Sequence, residues 1–267
     1  MPGGLPPRLD ALLVEKGLAE SRSRAQALVL AGAVRVGGDV VTKAGHRVLP
    51  DAEVTINSPR GSAFVSRAGE KLDYALDAFG VRVEGRDCLD AGASTGGFTD
   101  VLLRREARRV IAVDVGYGQL DWSLRSDARV IVMERTNVRY LSGEELPFGP
   151  SLLVADLSFI SLLVALRNLL STTASVDEAV VLVKPQFEAG PEHVKRGGIV
   201  RDPTVRAAVV RGAAEAFGSI GFGAADVARS PVAGRRAGNV EYVLYLLRGA
   251  ETTLDNERIL TVVGEEA

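Results

Sequence analysis

Four charged residues stand at or beside the ends of apolar segments, in the order Lys-Asp-Lys-Glu. They are Lys71 in SRAGEKLDYAL, Asp156 in VADLSFISL, Lys184 in VLVKPQFE and Glu241 in GNVEYVLY. A lysine directly after the apolar run VVLV does not belong to a solvated face. Two amines and two carboxylates suit a reaction in which a weak nucleophile must lose a proton as it attacks. One proton must then be removed or shared, and the nucleophile held in line with the bond that breaks. A lysine acts as base only if its pKa falls well below the reference value of about 10.4. Burial and a second nearby cation both push in that direction. Singly, Asp156 and Lys184 could be a structural ion pair, and Lys71 and Glu241 surface charges; the four together favour chemistry.

A second constellation is the turn LDAGASTGGFTD. A phosphate-binding loop needs Gly-Lys-Ser/Thr, and here Phe98 follows Gly97. The dinucleotide fingerprint needs G-x-G-x-x-G, which Gly92-x-x-x-Gly96-Gly97 fits poorly. The third reading is S-adenosylmethionine, whose binding turn follows a strand-end acid with small residues and glycines. Asp90, Gly92, Ala93, Ser94, Thr95, Gly96 and Gly97 suit it. So does Asp114 in VIAVDVGYGQL, 22 residues after Gly92, where a carboxylate can accept from both ribose hydroxyls. A structural strand-to-helix turn is the bland alternative.

The elements that must position these residues divide the chain in two. In the second part, RDCLDA, RRVIAVDV, ARVIVME, PSLLVADL and AVVLVKP are apolar strand candidates separated by helical or loop stretches. That alternation predicts an α/β fold, a mostly parallel sheet with helices on both faces. In such a sheet Asp156 and Lys184 stand at the carboxyl ends of strands, where ligands bind. NVEYVLYLLRG reads as a late antiparallel strand.

The first part differs in charge. Residues 8–47 hold seven Lys or Arg (Arg8, Lys16, Arg22, Arg24, Arg35, Lys43, Arg47) against four acids (Asp10, Glu15, Glu20, Asp39), a local balance of +3 in a chain of net charge −2. RLDALLVEKG reads as a helix stopped at Gly17. SRSRAQALVLAG reads as a second, from N-cap Ser21 to Gly32, and VRVGGDVV as a hairpin turning at Gly37-Gly38. Arg22 and Arg24 in a helix's first turn oppose its dipole, but with the free amides there they make a phosphate cradle. NSPRGSAF (57–64) reads as a linker.

These motifs resemble known families. LDALLVEKGLAESRSRAQALVLAGAVRVGG resembles the S4 RNA-binding domain, a small α+β module. This implies an RNA-facing surface carrying Arg22 and Arg24, with Arg8 and Lys43 as further members. The Lys-Asp-Lys-Glu order is that of ribose 2′-O-methyltransferases of the FtsJ/RrmJ type, which implies a Rossmann-like S-adenosylmethionine-dependent domain. SRAGEKL, CLDAGASTGGFTDVLL, AVDVGYGQLDWSLR, VMERTNVR, VADLSFISL, LVKPQFEAG and GNVEY resemble the TlyA family of S4-bearing rRNA 2′-O-methyltransferases, historically also called haemolysins.

The resemblance covers almost the whole chain. It implies an S4-like domain over 1–58, a linker over 59–64 and an FtsJ-like methyltransferase domain over 65–267. The implied activity is methyl transfer from S-adenosylmethionine to cytidine ribose 2′-hydroxyls in ribosomal RNA of one or both subunits, with sensitisation to capreomycin-type antibiotics. Lys71, Asp156, Lys184 and Glu241 are then the catalytic tetrad, with Lys184 as the candidate base, Lys71 as the neighbour that positions the hydroxyl, and Asp156 and Glu241 orienting the lysines. Asn137 in ERTNVR joins the cofactor set, as does Asp156. The glycine-rich loop 189–203 has the composition of a mobile lid, with Lys195 and Arg196 as candidate RNA contacts.

Composition bounds the rest. An apolar fraction of 46% supports a real core, and the single cysteine, Cys88, permits no intramolecular disulfide and fits a reducing compartment. MPGGLPPRLD contains no apolar signal core, and the apolar stretch 157–166 falls short of the roughly 20 residues of a spanning helix. The expectation is a soluble cytoplasmic protein that needs no metal. Three rivals remain: a membrane-lysing toxin, a non-catalytic RNA-binding protein, and a small-molecule methyltransferase.

Overall fold

The structure is a computed structural model that describes residues 6–19, 21–30, 33–56, 64–194, 198–233 and 239–265, without the side chains of Arg24, Ala27 and Leu30. Most of the expected linker, the Gly32 helix stop, and Lys195 and Arg196 lie outside the described residues. The chain divides into two compact units, Met1–Ser66 and Arg67–Ala267.

The smaller unit places α1 (Leu9–Glu15) and α2 (Arg22–Leu30) ahead of a three-stranded sheet of order β2-β1-β3. Leu9, Leu12 and Leu13 of α1 are buried with Ala25 and Val29 of α2. Gly17 follows α1 in the left-handed region. β1 (Val34–Val36) and β2 (Asp39–Val40) form the expected hairpin, in which Val36 pairs with Asp39 across Gly37-Gly38. β3 (Val54–Ile56) adds an antiparallel strand that the sequence did not announce, because three residues are too few to display a period.

The larger unit is a seven-stranded sheet of order β6-β5-β4-β7-β8-β10-β9. β4 (Asp87–Ala91), β5 (Arg109–Val113), β6 (Val130–Met133), β7 (Leu152–Ala155) and β8 (Glu178–Val183) are parallel. β10 (Tyr242–Arg248) runs antiparallel to both β8 and β9 (Phe222–Arg229). β9 is absent from the expected strands because FGAADVAR is rich in Ala and Gly; its pairing with β10 decides its conformation.

Strand residues alternate between two cores. Leu89, Ile111, Leu153, Val181 and Leu244 pack with α6 (Leu162–Thr172), α8 (Pro203–Gly218) and α9 (Asn256–Gly264). α3 (Ala68–Phe79) packs on α4 (Gly97–Arg104) and against β8, β9 and β10. Single side chains secure the helix ends. Asp202 and Asp255 accept from backbone N–H groups at the starts of α8 and α9. Arg248 donates to the carbonyls of Leu170 (2.8 Å) and Thr173 (2.7 Å) at the end of α6.

Candidate active site

The parallel strands end together, and the four charged residues gather at that edge. Asp156 directly follows β7, Lys184 directly follows β8, and Glu241 directly precedes β10, which starts where its parallel neighbours stop. Because Tyr242 pairs with Val183, one further step along the antiparallel ladder sets Glu241 opposite Lys184, on the same face. Lys71, in the first half of α3, reaches that face from above the sheet. Its Nζ lies 2.5 Å from Glu241 Oε2, and Lys184 Nζ lies 2.5 Å from Asp156 Oδ1. Lys184 also donates to Ser158 Oγ at 2.9 Å. Lys71, Lys184 and Glu241 are all buried. Buried amines and carboxylates cost desolvation unless paired, and here each amine has a carboxylate partner.

The Gly92–Gly96 turn borders the second pair. Gly92 has φ +87°, and a Cβ there would meet the Asp156 carbonyl oxygen at 2.8 Å. Only glycine lets the turn pass this close. Gly96 (φ +98°) meets Leu124 and Leu120 in the same way. Ser94, with φ +49°, donates its N–H to Asp114 Oδ2 at 2.8 Å, and Gly116 N–H donates to Oδ1 at 2.6 Å. Asp114 thus stands at the end of β5 in a fixed orientation, and each oxygen keeps a lone pair for a further donor. A small cleft there is lined by Ala93, Ser94, Asp114, Gln119, Leu120 and Glu134. A strand-end carboxylate beside a turn of glycines and small residues fits the ribose and methionine parts of S-adenosylmethionine.

Asp90 behaves differently from an open ligand contact. It is fully buried, accepts from Thr99 Oγ1 at 2.7 Å, and leaves Oδ1 without a partner. Burial, with Asp156 and Asp114 adding to it, pushes its carboxyl up to about 7. Asn137 is exposed, and its Oδ1 accepts from Arg139 N–H at 3.1 Å, closing a local turn. Ala93 and Gly97 are buried and Thr95 partly so.

Around the site stand residues that sequence reasoning did not single out. Phe159 is 82% exposed, with φ +67°, and its ring centroid lies 5.0 Å from that of Phe187. Lys184 Nζ is 6.0 Å from the Phe187 ring centre. A bulky residue in the left-handed region is strained, and such strain persists mainly where function uses it. Arg135 (φ +54°) lies over Tyr117 at 4.2 Å, both in the loops that follow β5 and β6. A phenylalanine inside DLSF reads as core, so the sequence held no sign of its exposure.

In the smaller unit, buried Asp10 gathers several partners. Arg8 donates to both its oxygens, at 3.1 and 2.9 Å, Gln26 donates at 2.9 Å, and Arg22 approaches to 3.5 Å. The Arg8 guanidinium holds the Asp10 carboxyl well below the usual range. Arg8 is therefore engaged within the unit, whereas most of the Arg22 side chain remains exposed and Lys43 is exposed in a turn. The Arg24 side chain lies outside the described residues.

Comparison with known proteins gives the wider setting. The FtsJ-like methyltransferase family model matches residues 64–248, and the S4 domain model matches residues 7–54. A Mycobacterium tuberculosis protein named 16S/23S rRNA (cytidine-2′-O)-methyltransferase TlyA is 49% identical over 90% of this chain and 89% of its own. Hemolysin A of Brachyspira hyodysenteriae is 39% identical over 90% of this chain and 99% of its own. A solved structure from Streptococcus thermophilus that carries a hemolysin name is 38% identical, with TM-score 0.73 over 97% of this chain and 95% of that one.

Proposed function

The chain belongs to the FtsJ-like methyltransferase family, with an S4 domain ahead of the catalytic unit, and on that premise we propose that it methylates the ribose 2′-hydroxyl of cytidine in ribosomal RNA. S-adenosylmethionine, when bound, supplies a methyl group activated by its sulfonium charge. The observation that carries the reading is the pair of lysine–carboxylate contacts, Lys71–Glu241 and Lys184–Asp156, the second of them beside the Gly92 turn.

In this reading Lys184 takes or shares the hydroxyl proton, and Asp156 stabilises the ammonium that results. Lys71, held by Glu241, orients the hydroxyl oxygen. Asp114 and the turn from Gly92 to Gly97 hold the cofactor, with Asp90 beneath the turn and Asn137 at its margin. Phe159 offers an exposed ring to a base beside Lys184. Arg22, with Arg24, Lys43 and to a lesser degree Arg8, attracts RNA phosphates. A ribosomal subunit as substrate, a cytoplasmic workplace and sensitisation to capreomycin-type antibiotics follow from the same reading. No helix among the described residues is long and apolar enough to cross a membrane.

The test is tritium transfer from labelled S-adenosylmethionine to ribosomal RNA, with the 2′-O-methyl positions mapped. Lys184→Ala should lower the rate by roughly a hundredfold or more while cofactor affinity stays within a few-fold. A variant that keeps the wild-type rate shows that the base is another group. Lysis of erythrocytes by lipid-free protein that survives this substitution would favour the hemolysin reading.

A further inference from the structure

α7 (Pro185–Glu188) and α8 are joined by residues 189–202, of which 189–194 and 198–202 are described. Both ends of that connection are tied by side chains, one half-buried and one buried. At its start, Glu188 accepts from Leu162 N–H at 2.8 Å, and burial pushes its carboxyl up. At its far end, Asn239 makes two bonds at once. Its Oδ1 accepts from Val200 N–H at 3.1 Å, and its Nδ2 donates to the Gly198 carbonyl at 2.6 Å. Asn239 is only 4% exposed. One amide therefore satisfies a backbone donor and a backbone acceptor two residues apart, as a neighbouring strand would.

Asn239 stands two residues before Glu241. Val240, between them, packs against the core, and Ser230 N–H donates to the Glu241 carbonyl at 2.9 Å. The Glu241 backbone is thus held by Ser230, directly after β9, and the Asn239 side chain two residues earlier by the 198–200 segment. Glu241 in turn holds the Lys71 ammonium. Gly198 presents its carbonyl from φ +78°, a conformation that glycine adopts freely and other residues do not. An apolar residue at 239 would leave the Val200 N–H and the Gly198 carbonyl without this partner.

We propose that Asn239 is a positioning residue for methyl transfer: by clipping residues 198–200 to the start of β10 it fixes Glu241, and through Glu241 the amine of Lys71. The inference rests on the reading of Lys71 and Glu241 as reaction groups.

The experiment is a double-mutant cycle on the full chain with ribosomal RNA and labelled S-adenosylmethionine. Asn239→Ala should lower kcat by roughly tenfold to a hundredfold, leaving KM for RNA and cofactor affinity within about twofold. In a Glu241→Gln background it should lower kcat no further, because the residue through which it acts is already disabled. Gly198→Ala disturbs the same clip from the loop side, with open space for its Cβ, and should show the same non-additivity. It serves as the second reading if Asn239→Ala does not fold. Unchanged kcat, or a loss that multiplies with that of Glu241→Gln, overturns the inference and leaves the clip a merely structural contact. A full rate in Glu241→Gln alone would remove the tetrad reading and the inference with it.

Discussion

At the scale of single residues, Asp90 shows how a site can oppose the stability of its own fold. Its carboxyl sits without solvent, near Asp156 and Asp114, with a folded-state pKa of about 7. An unfolded aspartate titrates near 3.9. Between these values the folded state binds the proton more tightly, so stability falls as pH rises. The favourable contribution is complete below about pH 4 and is lost as pH climbs through 7. The shift corresponds to roughly 4 kcal/mol at most. Asp90→Asn keeps an acceptor for Thr99 and cannot ionise. Its stability relative to wild type should therefore rise by an amount on the order of 1–4 kcal/mol between pH 4 and 8. Denaturant titrations across that range measure the difference; parallel curves would mean that Asp90 stays ionised at a cost the protein does not feel.

At the scale of elements, the site is a consequence of register. Asp156, Lys184 and Glu241 share a face because their strands are paired with fixed offsets, and a one-residue slip in any strand would turn its charge to the opposite core. The Gly92 turn depends on the same pairing, since β7 brings the Asp156 carbonyl against it. Gly92→Ala forces a left-handed alanine to within 2.8 Å of that oxygen. It should cost roughly 1–3 kcal/mol of stability and weaken S-adenosylmethionine binding by more than that loss of stability alone would produce. Calorimetric titration and thermal unfolding of the cofactor-free protein separate the two effects; unchanged affinity would mean that the cofactor does not sit on this turn.

At the scale of the whole molecule, a unit of local positive balance precedes an α/β unit that carries the chemistry. Binding to RNA by the first unit is expected to be electrostatic, so its affinity should fall with salt. Arg22→Ala combined with Arg24→Ala should weaken RNA binding and flatten that dependence by roughly 0.7–0.9 in logarithmic slope for each phosphate no longer neutralised. Cofactor affinity should not change. Filter binding at several salt concentrations reads the slope; a slope equal to wild type would move the RNA-binding face elsewhere.

Much of this organisation could be read along the chain. The apolar runs marked the five parallel strands and β10, because buried strands need continuous Val, Ile and Leu. The change of composition after residue 56 separated the two kinds of sequence. The turn at Gly92 and Asp114 one step beyond its strand were visible, as was Lys184 after its apolar run; Lys71 and Glu241 stood out only through the order of all four charged residues. β9 and β3 were not visible, one made of Ala and Gly and the other too short, since their conformation comes from partners. Nor could the chain tell which amine meets which carboxylate, that Phe159 stands in water, that Asp90 lies fully enclosed, or that Asn239 clips a segment about 40 residues earlier in the chain. Local composition fixes what a segment must do with its apolar surface. Which distant groups then share one side of a sheet follows only from strand order and register, which no stretch of sequence carries by itself.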